Sequence, residues 1–309
     1  MPTQRSALIV ANPTSGRGRG RRTAEAVAQT LRCRGIAVAV RYTQKSGDAE
    51  RIARAQLTSG EGPPSVIVAC GGDGTIQEVA NALGSAEPAV VDGRPPLALA
   101  PAGRCNDFAR VLRIPRDPSG IADVVAEGRA RAIDLGRVND RFFCTVATAG
   151  VDAEVSRFVD TMRMPLTGTP AYLYGAMRIL SRYRARAVRI AGDFGVIERP
   201  VFLASSANTS SYGGAIPIAP DATPTDGLLD LCVIDDLPRL EVPALVLAVL
   251  RGRHRDRRRV QIIQTRRLTI DAVEALELWA DGECVGRTPV TVEVVPRAIR
   301  IMLPAPRAE

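Results

Sequence analysis

The sequence predicts two domains: an α/β domain with a parallel sheet, and after it an all-β, sandwich-like domain. Within residues 1–134, apolar runs alternate with stretches of helical periodicity, which is typical of a parallel sheet covered by helices. Within residues 135–295, short strand-like runs follow one another between turn residues, which favours an all-β domain. The tail, about 296–309, is expected to pack back on the first domain.

Four apolar runs are predicted as the strands of the first domain. Each run is followed by a polar loop that contains glycine and then by a predicted helix. Ligands of open α/β sheets bind at this carboxyl edge of the strands. The predicted strands are 6–11, 36–42, 66–69 and 96–100, and the predicted helices are about 22–33, 48–57, 76–83 and a helix from 108.

The second domain is predicted from its short strand-like runs, which are interrupted by two apparent helices at 153–161 and 170–183. The second helix has few polar faces and is interpreted as core or as the lip of an apolar substrate site. Besides Val138, the predicted strands are 142–146, 187–191, 201–207, 229–234, 260–263, 268–271, 276–280 and 290–294.

The most informative motif is the glycine turn Gly71-Gly72-Asp73-Gly74-Thr75, between a buried strand and a helix. Its glycines remove Cβ atoms that would keep a ligand from the backbone, and the N–H groups of the helix start favour an anion such as phosphate. Asp73 would repel a bare phosphate. We therefore expect its carboxylate either to bind a divalent cation or to accept hydrogen bonds. The alternative is a tight turn between packed elements.

A second glycine loop, residues 12–20, follows the first predicted strand. It lacks the ending of a P-loop, and no acid follows where a dinucleotide fold requires one. Both common nucleotide folds are therefore disfavoured. The loop either presents N–H groups and arginines to phosphate or is a solvated Gly/Arg loop.

Composition favours a soluble cytoplasmic protein. Hydrophobic residues make up 46% of the chain, and we find no apolar run of membrane-spanning length and no signal-peptide core. The six cysteines are scattered, which fits neither a zinc site nor a disulfide framework. Reduced, mostly buried thiols are expected.

The formal net charge of +8 indicates an anionic partner or, alternatively, the arginine preference of a GC-rich genome. Stacking platforms for single-stranded nucleic acid are poorly supported, because aromatic residues are only 4% and are not interleaved with the basic clusters. Residues 251–259 contain six arginines after an apolar segment. This run is interpreted as a solvated helix end or as a contact with an anionic membrane surface.

Six motifs in this order resemble the diacylglycerol kinase catalytic family, which includes bacterial lipid kinases and sphingosine kinases. The resemblance spans the chain from Leu8 to Pro304. The motifs are Asn12-Pro13-Thr14-Ser15-Gly16, Gly71-Gly72-Asp73-Gly74-Thr75, Gly103-Arg104-Cys105-Asn106-Asp107-Phe108-Ala109, Gly150-Val151-Asp152-Ala153-Glu154, Asp226-Gly227-Leu228-Leu229-Asp230 and Asp281-Gly282-Glu283.

The resemblance implies a first domain like those of phosphofructokinases and NAD kinases, a β-sandwich second domain, and a nucleotide between them. The implied activity is ATP- and Mg²⁺-dependent phosphorylation of a hydroxyl of diacylglycerol or a related lipid alcohol. The implied catalytic residues are Glu283 as general base, Asp281 and Asp73. The implied nucleotide-binding residues are Asn12, Ser15, Thr43, Gly71, Gly72, Gly74, Thr75, Arg104 and Asn106. The implied metal ligands are Asp73, Asp107 and Asp134, with Asp226 at a structural magnesium site.

One departure from the family pattern is Arg104, where members usually carry threonine. Arg104 could pair with a phosphate or fill the adenine–ribose site. Two alternatives stay open: a kinase of a soluble alcohol in specialised metabolism, since NAD kinases share the glycine turn, and a catalytically impaired nucleotide- or lipid-binding homologue, since Arg104 replaces the usual threonine. Asp281 and Glu283 also have an alternative interpretation, since Asp-Gly is a common hairpin turn.

The resemblance and the basic charge together predict the partners. We expect a lipid alcohol as substrate, peripheral contact of a cytoplasmic enzyme with an anionic membrane surface, and no nucleic acid. The sequence carries no signal for the oligomeric state, so a homodimer is left open.

Overall fold

The computed structural model describes residues 5–59, 62–150 and 183–305. The helix predicted at 153–161 lies outside the described residues, and so does the helix predicted at 170–183 up to residue 182. The chain forms two compact units, residues 1–135 with 295–309 and residues 136–294. We describe each unit by itself.

The first unit contains a parallel sheet with the strand order β2-β1-β3-β4. The C-terminal part of a later strand joins it, since Ile301 pairs in parallel with Leu97. The strands are β1 (Ser6–Ala11), β2 (Ala37–Tyr42), β3 (Val66–Gly71) and β4 (Leu97–Pro101). The helices are α1 (Ser15–Cys33), α2 (Asp48–Leu57), α3 (Asp73–Leu83), α4 (Pro88–Gly93), α5 (Asp107–Val111) and α6 (Pro118–Glu127).

Helices cover both faces of this sheet. On one face, α1 and α6 bury apolar residues such as Leu31 and Ile121 against Ile9 and Val68. Successive side chains of a strand point to opposite faces, so Leu8 and Ile67 point to the other face. There α2 and α3 contact each other and the strands. β1, β3 and β4 are buried almost throughout, which explains why their sequences are continuous apolar runs.

The second unit is built from antiparallel strands around the long strand β9. The first half of β9 pairs with β8, and its second half pairs with β7 and β10. The strands within this unit are β6 (Arg141–Phe143), β7 (Val146–Gly150), β8 (Arg186–Gly192), β9 (Gly195–Ala207), β10 (Leu229–Asp235), β11 (Val260–Thr265), β12 (Arg267–Ala272), β13 (Glu277–Ala280) and β14 (Glu283–Arg287). Two further strands, β5 (Arg129–Val138) and β15 (Val290–Leu303), each contain residues of both units.

A hydrophobic core lies between the strands of the second unit. It contains Ala147 of β7, Ile190 of β8, Leu231 of β10, Leu268 of β12 and Val292 of β15. Exposed and buried positions alternate along β8 and β12, as expected for strands with one solvated face. A helix, α7 (Val242–Leu250), follows a short 3₁₀ turn after β10.

The structure differs from the predicted elements in a few places. The run 142–146 forms parts of two strands, β6 and β7, that Cys144 and Thr145 separate. β14 and the helices α4 and α6 are not among the predicted elements. No helix among the described residues is long and apolar enough to span a bilayer.

Candidate active site

The turn after β3 packs backbone against backbone on the loop after β4. The carbonyl of Gly71 accepts hydrogen bonds from the N–H groups of Ala102 at 2.8 Å and Gly103 at 3.1 Å. A Cβ atom built on Gly103 would lie 2.4 Å from the Cα of Gly72, closer than any real side chain comes. Glycine is therefore required by the contact of these two loops, a reason that the sequence analysis did not include.

Helix α3 begins at Asp73, directly after this turn, with Gly74 and Thr75 in its first turn. Its N-cap residue is Gly72, which has no side chain to cap the helix. The first N–H groups of a helix have no acceptor within the helix, and the helix dipole favours an anion beside them. The arrangement expected for a phosphate site is therefore present at the end of β3.

Two candidate carboxylates lie near each other at this edge. Phe108 directly follows Asp107 in the sequence, and its N–H donates to Oδ1 of Asp73 at 3.4 Å. The pKa of Cys105 is raised to about 11, mainly by burial and in smaller part by the nearby carboxylates of Asp107 and Asp73. Asp107 is itself buried and forms an ion pair of 2.5 Å with Arg110. Asp73 and Asp107 are thus brought together, but a cation already neutralises Asp107.

Asn106 folds the loop that carries it. Its Oδ1 accepts from the N–H of Gly103 at 2.8 Å, and its Nδ2 donates to the carbonyl of Gly103 at 2.9 Å. A second donor to that carbonyl is Arg19, at 2.7 Å. Sequence reasoning missed Arg19, whose only signal is its place in the first glycine loop. Arg104 is exposed, and no ion pair joins it to another described residue.

The first glycine loop lies beside the second. Oδ1 of Asn12 accepts from the N–H of Thr14 at 3.1 Å and from its hydroxyl at 2.9 Å. The N–H of Asn12 donates to Cys70 of β3 at 2.9 Å. A Cβ atom on Gly72 would lie 3.6 Å from Oγ of Ser15, so the hydroxyl of Ser15 is next to the turn before α3.

Thr43 is buried at the end of β2, where its N–H donates to Ala11 at 2.9 Å. Two carboxylates that the sequence analysis did not select hold the loop after it. Oδ2 of Asp48 accepts from the N–H groups of Gln44 at 2.9 Å and Lys45 at 3.2 Å. The hydrogen bond from Gln44 lowers the pKa of Asp48, and Arg51 lowers it further.

The second carboxylate is Glu78 of α3, which is buried. Its Oε1 accepts from the N–H of Gly47 at 2.8 Å and from the hydroxyl of Ser46 at 3.3 Å. Its Oε2 accepts from the N–H of Ala49 at 2.9 Å. Glu78 therefore connects the helix of the glycine turn to the start of α2.

In the second unit, Asp281 and Gly282 form the turn between β13 and β14. Their φ angles are 49° and 89°, and Ala280 pairs directly with Glu283, as in a type I′ hairpin. The backbone of Asp281 and Gly282 therefore forms the hairpin turn that was the alternative interpretation of this motif. Glu283 is half-buried and begins β14.

The carboxylate of Asp281 binds the segment between β6 and β7. It accepts from the N–H groups of Cys144 at 2.6 Å and Thr145 at 2.9 Å, and from the hydroxyl of Thr145. Burial raises the pKa of Asp281, and these hydrogen bonds oppose the rise. Nδ2 of Asn208, the residue directly after β9, donates to the carbonyl of Cys144 at 2.9 Å and helps to hold the same segment.

The two other predicted metal ligands are Asp134 and Asp226, which contact neither Asp73 nor Asp107 in the hydrogen bonds described below. Asp134 is buried in β5 and accepts from the N–H of Arg297 at 2.7 Å. Asp226 accepts from the N–H of Leu228 at 3.0 Å. Oδ2 of the buried Asp230 has no hydrogen-bond partner among the described residues. Burial raises the pKa of Asp230 to about 6, and the charges of Asp226 and Asp221 contribute.

Within 5–59, 62–150 and 183–305, no three His, Cys, Asp or Glu side chains form a group that could hold a metal. The motif at 150–154 lies outside the described residues after Gly150. The six cysteines are free.

Two family models match the chain. A model described as the diacylglycerol kinase catalytic domain matches residues 6–138, and one described as the YegS C-terminal NAD kinase beta sandwich-like domain matches residues 145–303. A protein of Bacillus subtilis named diacylglycerol kinase is 33% identical over 98% of this chain and 98% of its own length. The chain belongs to the diacylglycerol kinase family.

Further relatives agree with this assignment. A Staphylococcus aureus protein named diacylglycerol kinase is 30% identical to the kinase over 97% of the chain and 93% of its own length. The crystal structure of a putative diacylglycerol kinase from Bacillus anthracis matches the fold with a TM-score of 0.80 at 23% identity, covering 99% of both chains. The predicted resemblance, the fold class and the enzyme class, a kinase, are confirmed.

Proposed function

We propose that this kinase uses ATP and Mg²⁺ to phosphorylate a hydroxyl of diacylglycerol or a related lipid alcohol. The observation that carries the proposal is the uncapped start of α3 after Gly71 and Gly72, with the carboxylates of Asp73 and Asp107 beside it. Phosphoryl transfer needs positioned phosphates, a neutralising metal and a base for the hydroxyl proton. The names of the relatives support a lipid as the acceptor.

The first domain, residues 1–134 with the tail, is the proposed nucleotide domain, and residues 135–295 form the proposed lipid domain. Backbone N–H groups at the start of α3 would receive the phosphates. The residues proposed to contact or shape the nucleotide site are Asn12, Ser15, Thr43, Gly71, Gly72, Gly74, Thr75, Arg104 and Asn106. For Asn106 and Asn12 the observed side-chain bonds support a shaping role, because these bonds fold the loops themselves.

The residues at this edge fit a nucleotide-bound Mg²⁺. Mg²⁺ is usually held by one or two carboxylates and by substrate phosphates, so a group of three protein ligands is not required. Asp73 is our first choice as the ligand. Asp107 is a weaker choice because it pairs with Arg110, and Asp134 is weaker because it lies in β5 rather than at the start of α3. When bound, the metal would neutralise charge on the terminal phosphates.

Glu283 is the proposed general base that takes the proton of the lipid hydroxyl. It begins β14 on a tight hairpin, which restricts where the side chain can lie. Asp281 is proposed to position this hairpin through Cys144 and Thr145 rather than to take the proton, since its oxygens already accept three hydrogen bonds.

A structural Mg²⁺ is proposed at Asp226. The buried Oδ2 of Asp230, which lacks a partner among the described residues, fits a cation there, since unpaired buried carboxylate oxygens are costly. Addition of Mg²⁺ without nucleotide should raise the melting temperature of the wild type more than that of Asp226→Asn. Equal shifts in both proteins would argue against the site.

The activity is tested by incubating the protein with labelled ATP, Mg²⁺ and a panel of dispersed lipids. Diacylglycerol, monoacylglycerol, phosphatidylglycerol, ceramide and sphingosine form the panel, with glycerol as a soluble alcohol. Transfer to a lipid of this panel supports the proposal. Transfer to glycerol alone would indicate that the acceptor is a soluble alcohol. ATP binding without any transfer would indicate a catalytically impaired homologue.

A further inference from the structure

The outward face of α7 is apolar, although it is exposed. Leu247 and Leu250 are 46% and 39% exposed, and Leu240, in the turn before the helix, is 94% exposed. Pro243 and Ala244 lie between them and are also exposed. A helix whose outward positions carry no charge normally belongs to a buried interior or to a membrane boundary.

An arginine cluster directly follows this face. All six arginines of residues 251–259 are exposed, and the same run contains a single acid, Asp256. Arg255 pairs with Asp221, and Arg259 lies 3.6 Å from Glu241. The other four form no ion pair with any residue in the described ranges; they are Arg251, Arg253, Arg257 and Arg258.

The fold holds this arginine segment against the end of α7. The N–H of Arg251 donates to Leu247 at 3.2 Å, and the N–H of Arg253 donates to Ala248 at 2.9 Å. His254, between the arginines, is fully buried, with Nε2 2.8 Å from the carbonyl of Ile218. His254 turns inward as an anchor, so the exposed arginines on either side of it are held close to the C-terminal end of α7, which carries the exposed Leu247 and Leu250.

We propose that Leu240, Leu247 and Leu250 together with Arg251, Arg253 and Arg258 form a docking surface for an anionic bilayer. The inference rests on the proposed function, because a lipid acceptor requires the enzyme to reach a membrane. The leucines enter the boundary between head groups and acyl chains, and the arginines pair with lipid phosphates.

The charge of the surface selects this occupant over a second copy of the chain. A symmetric dimer on this face would bring the same arginine cluster of two subunits together, and like charges across an interface oppose association. An anionic bilayer instead supplies the complementary charge to every arginine, together with an apolar layer for the leucines.

Three variants test the proposal by co-sedimentation with vesicles. One variant combines Arg251→Gln, Arg253→Gln and Arg258→Gln, and a second combines Leu240→Gln, Leu247→Gln and Leu250→Gln. The matched control combines Arg116→Gln, Arg129→Gln and Arg131→Gln, which removes the same charge from exposed positions of the first unit. Vesicles contain phosphatidylcholine alone or mixed with phosphatidylglycerol, and melting temperatures verify that each variant is folded.

The wild type and the control should bind the anionic vesicles and leave neutral vesicles nearly unbound. The arginine variant should lose at least about tenfold in partitioning, since each basic residue near an anionic surface contributes substantially. The leucine variant should lose a similar factor. Equal partitioning of all four proteins would overturn the proposal, and so would a wild-type dimer, seen by analytical ultracentrifugation, that the leucine variant abolishes.

A separate assay distinguishes this proposal from the proposed function. Transfer from ATP to a short-chain diacylglycerol in detergent micelles does not require docking to a bilayer. Retained transfer in the two surface variants, with lost vesicle binding, supports the docking surface. If the wild type transfers no phosphate to this substrate, the proposed function fails, whereas vesicle binding still decides the docking surface.

Discussion

The carboxylate of Asp281 accepts hydrogen bonds from both the N–H and the hydroxyl of Thr145, more than 130 residues earlier in the chain. This contact fixes the hairpin that carries Glu283 to the segment between β6 and β7.

Asp281→Asn should therefore destabilise the protein by about 1–3 kcal/mol, because an amide nitrogen would face backbone donors and leave them unpaired. Chemical denaturation measures the loss. Asp140→Asn, at an exposed turn position, is the matched control and should change little. Equal stability of the two variants would show that the Asp281 contact does not support the hairpin.

Glu78→Gln should also destabilise the protein, by about 1.5–3 kcal/mol, because an amide nitrogen would replace one of the carboxylate oxygens that accept from Gly47, Ala49 and Ser46. The same variant should raise the KM for ATP, since the loop after Thr43 would lose its anchor. Glu87→Gln, at an exposed position, serves as the control. An unchanged melting temperature and KM would contradict the anchoring role of Glu78.

The stability contributed by Asp48 should depend on pH. The hydrogen bond from Gln44 lowers its pKa in the folded state, so the ionised form is favoured by folding. A carboxyl group of this kind stabilises the protein above its unfolded-state pKa of about 4, and the contribution disappears as the pH falls through the lower folded-state value. Asp48→Asn should be less stable than the wild type at neutral pH, and the difference should narrow below about pH 4.

Urea denaturation at a series of pH values measures this difference. Asp92→Asn, at an exposed position, is the control and should show a small difference that does not change with pH. A difference between Asp48→Asn and the wild type that stays constant down to the acid transition would contradict the assignment.

Arg104→Thr tests the departure from the family pattern. Arg104 is exposed and forms no ion pair with a described residue, so its guanidinium is available to a phosphate. If it contacts a phosphate, the substitution should raise the KM for ATP by about tenfold or more. Arg116→Thr is the exposed control. A lower KM in Arg104→Thr would instead indicate that the arginine obstructs the nucleotide.

Local patterns in the sequence were sufficient for much of the fold. The buried strands of the first unit are continuous apolar runs, and in the second unit a strand such as β12 shows polar residues that alternate with apolar ones. Asp281-Gly282 was readable as a hairpin because few dipeptides adopt positive φ at both positions. By contrast, β14 escaped prediction because its five residues, Glu283 to Arg287, lack a clear apolar alternation.

The site residues that sequence reasoning missed act through long-range contacts. In the sequence, Glu78 is an ordinary polar residue of a predicted helix and Arg19 is one arginine of a solvated loop. In the structure, Glu78 accepts from the N–H of Gly47, and Arg19 donates to the carbonyl of Gly103. The closeness of Gly103 to Gly72 has no local signature either, because it depends on two neighbouring strands ending side by side. The order of the motifs in the sequence was enough to identify these loops, whereas the contacts between the loops are seen only in the structure.

The most direct test of the catalytic proposal is the Glu283→Gln variant, assayed for Mg²⁺–ATP binding by calorimetry and for lipid phosphorylation under saturating ATP. Our account predicts a kcat at least about a hundredfold below the wild type, with nucleotide affinity and melting temperature nearly unchanged. A kcat within about threefold of the wild type in a folded, nucleotide-binding variant would contradict the assignment of Glu283 as the base.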